Sequence, residues 1–136
     1  MTEAGWRECL GELVRAYIRS PELQRYFSVR MTKARAAIMV TQQSLYVRHR
    51  RDCWAHVSAN CPVLAVKQRI LEHEYDEIIR DEFSEYGHLE LIIKQGRSVD
   101  LKPEEILNAV PLPPTRATLY AWGWITREKS WIEGLA

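Results

Sequence analysis

No stretch of this chain alternates apolar and polar residues long enough to make a strand, and no Asn-Gly or Asp-Gly pair offers a tight hairpin turn. That confines the sequence to helices. Leu10, Leu13, Val14 and Tyr17 share one face of a predicted helix over residues 6–17. Ser20 and Pro21 start a second, as N-cap and first helical residue. A long helix follows "MTKARAA" and runs to about residue 59, where "NCP" ends it. Its apolar positions Ala37, Val40, Leu45, Val47 and Trp54 fit one stripe only loosely, which predicts a bend. The next helix is predicted over 62–96 with Gly96 as its stop. A connector with a short helix comes next, then a last helix from about residue 115 that continues through "SWIEGLA". The expected architecture is an all-α antiparallel helical bundle, one domain over residues 1–136.

The helix predicted over 62–96 carries the feature that most needs a chemical account. Residues 72–88, "EHEYDEIIRDEFSEYGH", hold seven carboxylates with a histidine near each end. On a continuous helix, Glu74, Glu77, Asp81, Glu85 and His88 fall within roughly 80° of one another, a stripe that borders the apolar face. Glu82 falls inside that face. Glu77, Asp81 and Glu85 follow one another at i, i+4, where like charges repel by a few tenths of a kcal/mol. An unpaired carboxylate in the apolar face would cost several kcal/mol. A divalent cation removes both costs; a solvated acidic surface with a half-buried histidine is the plainer alternative. Glu85-x-x-His88 is the tightest local unit, at the spacing that carboxylate-bridged di-iron bundles place on their ligand helices. His73 lies off the stripe and is expected to be exposed.

Net charge is +1, so no overall field points to nucleic acid or an acidic membrane. No apolar run is long enough to span a bilayer, and the first residues do not resemble a signal peptide. Three cysteines, Cys9, Cys53 and Cys61, make an odd count without a CxxC, which fits reduced thiols in the cytoplasm. "YVRHRRDCWAHV" is basic and aromatic: Arg48, Arg50 or Arg51 could hold an anion, or form the solvated face of a helix that buries Trp54. His49 and His56 share a face about two turns apart, too far to share one metal. Three tryptophans crowd residues 122–131. Trp124 and Trp131 share a face of the last helix and are expected to be mostly buried, as core or as the wall of an aromatic pocket.

"MTKARAAIMV", "LEHEYDEIIRDEFSEYGHLELII" and "PPTRATLYAWGWITREKSWIEGLA" together resemble the heme-oxygenase-like superfamily. The likeness is to the branch holding PqqC, the TenA proteins and the heme-oxygenase-like di-iron oxidases and oxygenases, including the chlamydial death-domain-associated protein. "ILEHEYDE" and "HLEL" match, in order, an acid-rich helix segment and the histidine that follows it. The resemblance implies an all-α bundle. It also implies a non-heme di-iron site, of iron or manganese, for O2-dependent oxidation of a small amino-acid-like or aromatic metabolite. The first acid ligand falls on Glu77 and the first histidine on His88, with Glu85 as a further ligand; Asp81, Glu82 or Glu85 could replace Glu77. The remaining ligands of the family would lie beyond Ala136, so the chain is expected to be the N-terminal portion of such a domain. A homodimer is expected. Two alternatives stand beside the oxidase: a metal-free TenA- or PqqC-like ligand-binding protein, and a non-catalytic helical interaction module.

Overall fold

The computed structural model describes residues 2–80 and 82–136, and among them every regular element is a helix. None of the helices is long and apolar enough to cross a membrane. The chain divides into two compact units, 1–32 and 33–136.

The first unit holds α1 (Glu3–Ile18) and α2 (Pro21–Ser28). Their starts follow capping chemistry. Thr2 Oγ1 accepts from Gly5 N at 3.2 Å, and Ser20 Oγ accepts from Leu23 N at 3.3 Å, with Pro21 at the first helical position. Neither helix has a buried residue.

The second unit is built around α3 (Lys33–Asn60), against which α4 (Leu64–Ile78), α5 (His88–Arg97), α6 (Pro103–Leu107), α7 (Pro113–Glu128) and α8 (Trp131–Leu135) all pack. The loose periodicity of α3 reflects two contact surfaces. Its first half buries Val40, Ser44 and Val47, and its second half buries Cys53 and Val57. These two sets lie on faces roughly 130° apart. One helix thus serves two contact surfaces, and no single stripe describes it. Val40, Val47, Ile92 and Ile106 form the core cluster, with Leu89, Ile93 and Leu101 packed on it. Ser44 is fully buried and donates to Ile106 O at 3.0 Å, which ties α6 to α3. Helix α5 ends as expected next to Gly96, at Arg97. Gly96 itself lies within the last turn of α5, where a Cβ would collide with the Ile106 side chain.

Two predicted helices are broken. The 62–96 helix ends at Ile78 and restarts at His88. Gly87 makes the restart possible: its φ of 73° and ψ of −175° belong to a region only glycine populates readily. Breaking the helix also takes Glu77 and Glu85 off one i, i+4 ladder. Asp81 lies outside the described residues. The last helix breaks at Lys129, and Ser130 caps α8 through a reciprocal pair with Glu133. Trp124 and Trp131 therefore do not share a helical face. Trp131 is partly buried, but Trp124 is 43% exposed, with Lys129 Nζ 4.8 Å from its ring centre.

Candidate functional site

Among the described acids of the 72–88 segment, Glu77 is the one that is buried, with 6% of its surface exposed. A buried carboxylate must be compensated, and three side chains from three helices meet it. Arg50 of α3 donates from Nη2 to Glu77 Oε2. His88, the first residue of α5, brings Nδ1 to 2.5 Å from the same oxygen. His73, one turn before Glu77 on α4, places Nε2 3.7 Å from Oε1, within ion-pair reach but too long for a hydrogen bond.

The helix break creates this cluster. Gly87 packs so tightly on the end of α4 that a Cβ there would sit 2.6 Å from Glu77 O and 2.7 Å from Ile78 O. Glu90 accepts from Glu85 N at 3.2 Å and holds the turn. On a continuous helix Glu77 and His88 would stand three turns apart; folded back, they touch.

The candidate ligands therefore separate. Glu77 and His88 are brought together. Glu85 and Glu82 lie exposed in the connecting turn, so neither Glu85-x-x-His88 on one helix turn nor ligands carried by one 62–96 helix is formed. His73 is exposed as expected, yet it reaches Glu77, which the helical angle alone did not suggest. Among the described residues no group of three or more His, Cys, Asp or Glu side chains is placed to hold a metal ion.

Glu74, one turn before Ile78, is the second unusual acid. Both its carboxylate oxygens are buried without a protein hydrogen-bond partner. Burial raises its pKa above the ordinary 4.5, and Glu77 adds to the rise, while His73, Arg50 and Arg51 oppose it. A carboxyl with a raised folded pKa contributes most stability below its unfolded pKa, and that contribution is lost as pH rises through the folded value. Glu74→Gln should therefore gain melting temperature relative to wild type as pH rises from about 4 to about 7. Thermal melts across that range check this, and a constant difference would mean that Glu74 ionises without penalty.

Beside the cluster lies a cleft of about 240 Å³ lined by Arg50, Cys53, Trp54, Trp122, Ile125 and Glu133, among others. Trp122 walls it and stacks edge-on against Tyr46 at 5.7 Å. Of the three tryptophans of residues 122–131, Trp122 lines this cleft and Trp124 and Trp131 do not. Cys53 is buried, and burial pushes its thiol pKa up, the opposite of an activated nucleophile. All three cysteines are free.

A family model describing the TENA/THI-4/PQQC family matches residues 15–136. The chain belongs to the TENA/THI-4/PQQC family. This family lies in the heme-oxygenase-like superfamily, and the all-α bundle described above is the fold it implies. No curated protein and no solved structure gives a significant match. As a TenA/PqqC-like helical protein, the chain places its buried carboxylate, two histidines and an arginine where α3, α4 and α5 meet.

Proposed function

We propose that this protein is an iron-dependent member of its family, an O2-using oxidase or oxygenase of a small amino-acid-like or aromatic metabolite. The observation that carries this reading is the meeting of Glu77 and His88 at 2.5 Å across a broken helix. A buried carboxylate and an imidazole are the donor types that non-heme iron takes. Glu77 and His88 alone do not hold a metal ion, since they contact each other directly and Arg50 shares the carboxylate oxygen; a centre here would need that pairing opened and further donors supplied. Bound there in reduced form, iron would supply the O2 chemistry that no side chain can. The protein's own contribution is positional. Gly87 holds His88 against Glu77, and α3 and α4 bury the carboxylate away from bulk water. The cleft walled by Trp54, Trp122 and Ile125 offers an apolar seat beside it.

The test is the iron content of protein produced in iron-rich medium, for wild type and for His88→Ala and Glu77→Gln. Retained iron in wild type, with an absorption change on exposure to O2, and its loss in both variants is the expected result. Wild type without iron would remove this reading. A metal-free ligand-binding role is the second reading, favoured by Arg50, whose guanidinium neutralises Glu77 without any cation. Protein that binds small aromatic ligands equally well with and without iron would support that reading.

A further inference from the structure

Two clefts of the 33–136 unit meet at one tryptophan. The cleft of about 240 Å³ described above and a second of about 540 Å³ both have Trp54 of α3 and Leu135 of α8 in their walls. The second is otherwise lined from α4, by Val66, Ile70 and His73 among others. Trp54 and Leu135 therefore form a partition between two neighbouring spaces. Alone, the first is smaller than an ordinary small-molecule site of roughly 300–1,000 Å³, whereas the two joined fall inside that range. The sides of the partition are held differently. Trp54 sits on the 28-residue α3, partly buried, with the His73 ring edge-on at 5.8 Å. Leu135 is 39% exposed, on a five-residue helix without a buried residue. So short a helix has little stability of its own, and Leu135 is the side that yields.

The charges around the first cleft are of both signs and already engaged. Arg50 is paired with Glu77. Glu133 accepts from Ser130 N at 3.1 Å and from Ser130 Oγ at 2.7 Å. An anion in the cleft meets Glu133 and a cation meets Arg50, and either would have to strip one of these residues from its partner to be paired. The walls between them are apolar or aromatic: Trp54, Trp122 and Ile125.

We propose that the two clefts are halves of one site for an uncharged, elongated aromatic ligand, which lies along Trp54 and displaces the Leu135 side chain. This rests on the seat given above to an aromatic metabolite and narrows that metabolite to uncharged molecules about two rings long. It does not require iron.

The long probe is biphenyl-4-methanol and the short one benzyl alcohol, titrated by calorimetry into protein kept metal-free with a chelator. Leu135→Ala removes the partition and should tighten the long probe about fivefold or more while leaving the short one within about twofold. Val66→Trp fills the second cleft and Ile125→Trp the first. Either should weaken the long probe about tenfold, whereas benzyl alcohol, which one half can hold, should still bind both. Biphenyl-4-carboxylate and biphenyl-4-methylammonium should each bind wild type about tenfold more weakly than the alcohol. Weakening by one block alone, by neither, or no binding of the long probe at all would overturn the joined site. A charged analogue that matches the alcohol would overturn the ligand class. Should a tryptophan variant fail to fold by circular dichroism, Leu135→Ala decides: tightening of the long probe alone supports the joined site, and unchanged affinity overturns it. With metal absent throughout, protein found without iron leaves this result standing, and failure here leaves the iron reading untouched.

Discussion

Gly87→Ala is expected to destabilise the protein by about 3 kcal/mol or more. Two costs add. A φ of 73° is unfavourable for any residue with a Cβ, and that Cβ would meet the α4 backbone at 2.6 to 2.7 Å. Backbone atoms cannot swing aside as a side-chain tip can. Relief requires α5 to move away from α4, which separates His88 from Glu77. Chemical denaturation should show the loss, and a change below about 1 kcal/mol would mean that the turn before α5 is not held as described.

Ile106→Ala should cost about 3–4 kcal/mol, within the range for large-to-small changes at fully buried sites. Ile106 has no exposed surface and sits in the cluster with Val40, Val47 and Ile92, closed on one side by Gly96. The cavity cannot collapse easily, because Ser44 fixes the Ile106 carbonyl to α3. This variant separates fold from site. It should unfold at lower denaturant yet keep any metal response, whereas Gly87→Ala should lose both.

The helices were legible in the sequence where local chemistry decides them. Ser20 and Pro21 mark a real start, and the 33–60 helix ends where Asn60-Cys61-Pro62 said it would, but the first helix begins at Glu3, ahead of the residue 6 expected from its apolar face. The two breaks were not legible, for a shared reason. At Gly87 and at Ser130 the pattern on both sides is compatible with continuing helix, and the chain turns because tertiary packing compensates. A glycine among acids repeated at i, i+4 was the available signal at the first, and a serine three residues before Glu133 at the second. The site was half legible. Glu77 and His88 came from the family pattern, but their contact depends on the break. Arg50 lies 27 residues from Glu77; the basic patch offers Arg48, Arg50 and Arg51 alike as anion holders, and nothing local singles out Arg50. His73 shows that an exposed ring can still reach a buried carboxylate on its own helix.

Thermal unfolding with and without Fe²⁺, compared across wild type, Glu77→Gln, His88→Ala and Glu85→Gln, measures whether the folded-back pair is a metal site. If Glu77 and His88 share a cation, wild type and Glu85→Gln should both be stabilised, by about 2.7 kcal/mol at a hundredfold excess over Kd, while Glu77→Gln and His88→Ala should not respond. Equal stabilisation of all four proteins, or of none, would contradict a cation shared by Glu77 and His88.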